Sequence, residues 1–139
     1  MSVNRIVLLD NEAVQALRDP AHRKHRRVLN QLEFALKRVV GNLRVRVVVP
    51  AAVRVEAGWD RTAPSWAFVN RFPIADVLLD TGHANAAAGI ARRTGVSVAD
   101  AHIGAAIRAA DADHVMVLTS DPADIRKVAE GKPIQIVKL

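Results

Sequence analysis

The 139-residue chain contains no cysteine, which excludes disulfides, thiolate metal sites and a thiol nucleophile. That suits a reducing compartment. Long apolar runs are also missing. The N-terminal run, Ile6 to Leu9, is far too short for a signal peptide or a membrane span. The expectation is a cytoplasmic protein with no membrane partner. The 7 glycines form neither a G-x-x-x-x-G-K-[ST] nor a G-x-G-x-x-G loop, which argues against a nucleotide cofactor. Histidines at 22, 25, 83, 102 and 114 show no H-E-x-x-H spacing. No repeat, low-complexity tract or linker interrupts the sequence. What remains is one continuous domain, residues 1–139, long enough to bury a core unaided.

Basic residues are what the chain has in excess. Lys and Arg number 20 against 14 acids, for a net charge of +6. The segment "HRKHRRVLNQLEFALKR" (22–38) carries six of them and one acid, and "RVR" (44–46) adds two. A solvated helix face explains such a run. So does a phosphate-contacting surface, in which Arg23, Lys24, Arg26 and Arg27 would hold an RNA backbone.

Hydrophobic patterning predicts strands at 5–10, 44–50, 74–80, 114–120 and 133–139. Between them it predicts helices at 11–19, 21–40, 51–59, 63–72, 82–94, about 98–111 and 121–131. Gly41–Asn42 would close the second helix, and Pro64 would sit in the first turn of the fourth. Strands alternating with helices imply a mostly parallel sheet covered on both faces. Ligands of such sheets collect beyond the carboxyl ends of the strands, where the strand order reverses.

Four acids fall where that crevice would be. In "VSVADAH" (96–102), Asp100 shares a helical face with Val96, Ile103 and Ile107. An unpaired charge there is costly. Asp10 ends the first strand, Asp121 follows the fourth, and Glu56 lies in the helix after the second. All four converge if strands one and four are neighbours. Capping is the competing account: Asp10 before Asn11, Asp121 before Pro122, and Ser97 with Asp100 as a capping box. Glu56 separates the two, because it sits mid-helix, aligned with Ala52, Val53 and Trp59 on the expected inward face. Only a partner such as Arg54 or Arg61 would give it a structural role.

Clustered carboxylates repel, which raises their pKa values until a hard divalent ion such as Mg²⁺ or Mn²⁺ offsets the repulsion. An ion so held activates water and stabilises the leaving oxygen in phosphodiester cleavage. His102 lies two residues beyond Asp100 and so on a different face. Thr119 and Ser120 would bond a water or a phosphate, or cap the next helix.

The ordered segments "IVLLDNEAVQAL", "VVVPAAVRVEAGW", "VSVADAHIGAAI" and "VLTSDPADI" resemble the PIN-domain ribonucleases, and among them the VapC-type toxins of toxin–antitoxin pairs. The resemblance implies an α/β, three-layer fold: a parallel five-stranded sheet, order 3-2-1-4-5, flanked by helices. It implies an endoribonuclease that uses Mg²⁺ or Mn²⁺ to activate water. Asp10, Glu56, Asp100 and Asp121 match its catalytic and metal-binding acids, with Asp124 as a substitute ligand and Thr119 at its small hydroxyl position. It further implies a homodimer, an RNA substrate and a cognate VapB-type antitoxin. Asn11 departs from the Thr or Ser that many members carry after the first acid, although an amide still orients a water or caps a helix. The alternatives are a non-catalytic RNA- or protein-binding module on the same scaffold, and a phosphate-transfer domain of haloacid dehalogenase or receiver type. "DNE" supplies the second acid of the dehalogenases at Glu12, but the downstream lysine pattern is not evident for either.

Overall fold

The computed structural model describes residues 3–37 and 44–139. Five strands pair in parallel in the order β3-β2-β1-β4-β5. β1 (Val3–Leu9) is central, with Val7 opposite Val47 of β2 (Val45–Pro50) and Met116 of β4 (Ala112–Thr119). β3 (Ile74–Val77) and β5 (Gln135–Lys138) form the edges. Val7, Leu8, Leu9, Val47, Val48, Val49, Val117 and Leu118 are all buried. Consecutive burial of this kind, rather than alternation, marks strands covered on both faces.

The helices divide between those faces. On one side, α1 (Asn11–Arg18) is followed by α2 (His25–Lys37), which lies over the side chains of Arg5 and Val7. On the other, α6 (Val98–Ala109) lies over Ile6 and Leu8, flanked by α5 (Thr81–Thr94) and α7 (Pro122–Ala129). α3 (Ala51–Ala57) follows β2 directly and runs past the end of the sheet. Among the described residues, no helix is long and apolar enough to cross a membrane.

Three departures from the sequence expectation go beyond a shift of an end by one or two residues. β3 stops at Val77, because Asp80 caps α5 by accepting the His83 N–H (2.8 Å) and turns the chain out of the sheet. Leu78 and Leu79 are left exposed there. The segment 63–72 is a 3₁₀ turn, Pro64–Trp66, followed by the short α4, Ala67–Asn70. The tight turn seats Trp66 in the core, stacked on Trp59 at 5.7 Å between centroids. α2 begins at His25 rather than at 21, since Asp19 and His22 accept the N–H groups of Ala21 and Lys24 in a turn. The stop signal at Gly41–Asn42 lies outside the described residues.

α6 is buried almost all round, and its contacts turn on one small residue. A Cβ on Gly104 would lie 2.8 Å from both the Cβ and the carbonyl of Val128 in α7, and 2.9 Å from Ile90 Cδ1 in α5. Backbone on one side prevents easy relaxation. Gly104→Ala is therefore expected to destabilise the protein by about 1–3 kcal/mol, read as a lower urea midpoint with an unchanged slope. An unchanged midpoint would show that α7 is free to move aside.

Candidate active site

β1 and β4 are neighbours, so the strand order reverses between them, and Asp10 stands at that point. Its N–H donates to the Leu118 carbonyl (3.2 Å), extending the β1–β4 pairing by one residue. Its side chain is engaged on both oxygens. Oδ1 accepts the Ala13 N–H (2.8 Å), capping α1, and Oδ2 accepts the Ser120 N–H (3.2 Å) from the end of β4. Burial pushes the Asp10 carboxyl above the usual range, against the bonds from Ala13, Thr119 and Ser120. Thr119 is fully buried, and its hydroxyl accepts the Asp121 N–H (2.9 Å).

Asp121 caps α7 by accepting the Asp124 N–H (3.2 Å). Ser97 caps α6 by accepting the Asp100 N–H (3.1 Å). The capping readings of Asp10, Asp121 and Ser97 all hold. Asp100 itself is different. It is half-buried, and no described residue donates a hydrogen bond to its carboxylate or forms an ion pair with it. Burial raises its pKa, and the charges of Asp124, Asp10, Glu56 and Asp121 raise it further, to about 6. Asp124, Asp10, Glu56 and Asp121 thus all act through space on the Asp100 carboxylate. Of the two on α7, Asp124 acts on Asp100 more strongly than Asp121, although it also pairs with Lys127 at 3.5 Å.

Glu56 is exposed, which corrects its assignment to an inward face. Ala52, Val53 and Ala57 make the buried side of α3, and Val55 and Glu56 are exposed. Arg54 and Arg61 do not hold Glu56. Both pair with Asp76, at 3.1 and 3.0 Å, beside the Trp59 ring. Glu56 instead accepts a hydrogen bond from Asn11 Nδ2 (3.0 Å). Gln15 Nε2 in turn donates to the Ala57 carbonyl (2.9 Å) and approaches Asn11 Oδ1 (3.5 Å), so two amides join α1 to α3 and aim Glu56. Asn11 therefore orients an acid. Gln15 escaped the sequence reading, although its spacing of four from Asn11 on one helix face is a readable signal.

The donor set suits a hard divalent cation, being carboxylate oxygen throughout and in need of positive charge. Among the described residues no three of these side chains are drawn together closely enough to enclose an ion as they stand.

The basic segment borders this crevice. Glu12, which raises the Asp10 pKa through space, also contacts His22 (3.2 Å) and Lys24 (3.6 Å). Arg23, Arg26 and Arg27 are exposed beside them, and Arg27 reaches the Lys138 carbonyl at 3.5 Å. The first turn of α2 contains no acid. Cations there oppose the helix dipole, so helix stability does not explain them. His102 is a core residue. It is fully buried, and its Nδ1 accepts the Ala52 N–H at 3.3 Å.

The class defined by this arrangement is a three-layer α/β fold with an acidic crevice at the switch point of a 3-2-1-4-5 sheet. No family model matches the chain, and no curated protein does. Solved structures share its fold over nearly its full length. A chain of VapBC2 from Rickettsia felis, bound to a DNA fragment from their promoter, is 10% identical with a TM-score of 0.60, covering 96% of this chain and 98% of that one. A chain of FitAcB from Neisseria gonorrhoeae is 16% identical with a TM-score of 0.53, covering 95% and 96%. A chain of FitAB bound to an IR36 DNA fragment is 16% identical with a TM-score of 0.56, covering 95% and 94%. At such identities the likeness is one of fold.

Proposed function

We propose that the protein is a metal-dependent endoribonuclease and the toxin member of a VapBC-like pair. One observation carries this reading: Asp100 is half-buried, has no donor among the described residues and feels the charges of Asp124, Asp10, Glu56 and Asp121. A purely structural carboxylate in that position would be expected to have a partner. Asp10, Asp100 and Asp121, with Glu56 and Asp124 beside them, would hold Mg²⁺ or Mn²⁺. Such an ion would supply charge neutralisation at the phosphodiester and a more acidic water.

The chain's own residues do the rest. Asp10 is fixed by three donors and forms the rigid floor of the crevice. Asn11, braced by Gln15, aims Glu56 from the exposed rim, where a carboxylate can accept a proton from water. Arg23, Lys24, Arg26 and Arg27 attract and align the phosphate backbone at the crevice edge. The VapBC2 and FitAB complexes that share the fold support an antitoxin partner. RNA as the substrate, a homodimer as the assembly and the cytoplasm as the setting complete the proposal.

The test is incubation of the purified chain with total RNA and millimolar Mg²⁺ or Mn²⁺, with and without chelator. Discrete cleavage sites that vanish with chelator are expected. RNA retention without metal-dependent cleavage would replace this reading by the non-catalytic binding module.

A further inference from the structure

The second sheet feature that lacks an internal explanation is Arg5. It occupies the central strand, in register with Val45 on one side and His114 on the other. Its Nε is buried without a hydrogen-bond partner, and no described residue pairs with its guanidinium. Val7, two residues on and pointing the same way, is fully buried. An apolar residue would be expected at position 5, since a buried donor without an acceptor is destabilising.

Arg5 borders a cleft of about 280 Å³ between α2 and the sheet. Val7, Met116 and Val137 supply apolar wall, and the amides of Gln31 and Gln135 are its other polar groups. Among the described residues none that lines the cleft is acidic, so they provide Arg5 with no counter-ion there. The volume is near the lower end for small-molecule sites, roughly 300 Å³. A planar guanidinium in a largely apolar cleft matches one carboxylate, bidentately, on a short apolar body.

We propose that this cleft binds a small monocarboxylate with an apolar body, its carboxylate paired with Arg5. The cleft opens on the α2 side of the sheet rather than among the acids at its carboxyl end, so this proposal does not depend on the nuclease reading. Burial of the unpaired Nε and the absence of any acid among the described lining residues argue for an anion from outside the chain.

The test uses the full ¹⁵N-labelled chain titrated with hexanoate, and separately with the uncharged hexanamide, followed by NMR. Saturable shifts are expected at Arg5, Val7 and Met116, with hexanamide binding at least tenfold more weakly. Arg5→Met should remove the preference for the acid and raise the melting temperature. Val137→Phe, on the edge strand, should fill the cleft and abolish both titrations, which keeps the test decisive if Arg5→Met does not fold. No saturable shift with hexanoate, equal binding of acid and amide, or an acid preference retained by Arg5→Met would overturn the proposal.

Discussion

Asp100→Asn is expected to lower RNA cleavage by on the order of 10³, the scale of losing one preorganised electrostatic group, while making the metal-free protein more stable. The two effects have opposite signs because Asp100 is poorly placed for folding. It has no donor, and four acids raise its pKa. Asparagine keeps the shape, removes the charge and leaves the Ser97 cap intact, since that bond uses the Asp100 backbone N–H. A misfolded variant would lose activity and stability together. Retained cleavage in the folded Asn variant would remove Asp100 from the active site.

The pH dependence has a definite sign. The Asp100 pKa rises from 3.8 to about 6 on folding, so between those values the native state binds more protons than the unfolded state. Stability contributed by this group therefore falls as pH rises through that window. Asp10 is raised as well and acts in the same direction. Asp76 is held low by Arg61 and Arg54 and acts oppositely, losing its contribution as pH falls below the ordinary carboxylate range. The difference between wild type and Asp100→Asn isolates the first group. Urea midpoints at acidic and neutral pH should converge at the acidic end and separate at neutrality, with the Asn variant higher.

The fold was legible because its signals are local and agree. The runs Ile6–Leu9, Val47–Val49 and Val115–Leu118 are apolar without alternation, as strands buried on both faces require. Asp10, Ser97 and Asp121 announce helix starts that the structure contains. Glu56 was misjudged because periodicity is a weak guide in a helix of 7 residues: Ala52, Val53 and Ala57 are buried, while Val55 and Glu56 are exposed. The pairing of Arg54 and Arg61 with Asp76 was equally out of reach, since β3 joins them only through the tertiary fold. The effect of Asp124 on Asp100 was out of reach too, since α7 and α6 meet only through the tertiary fold. Arg5 reads in sequence as the polar start of a strand. Only the packing of α2 reveals its Nε as buried with no partner and, among the described residues, no acid lining the cleft beside it.

Millimolar Mn²⁺ should raise the melting temperature of the wild type by on the order of 5–10 °C. The figure follows from linkage: an ion present at a hundred times its dissociation constant adds about 2.7 kcal/mol, and each kcal/mol moves a domain of this size by roughly 2–4 °C. The physical source is the relief of repulsion around Asp100, so the effect belongs to that carboxylate first. Asp100→Asn should lose nearly all of the shift. Glu56→Gln should lose only part of it, because Glu56 stands exposed at the rim and Asn11 still holds its side chain in place. Sodium chloride at equal ionic strength separates screening from ligation, since screening stabilises the wild type without selecting Mn²⁺. A wild-type melting curve that Mn²⁺ moves no further than sodium would mean that these acids do not gather an ion, whatever cleavage the protein performs.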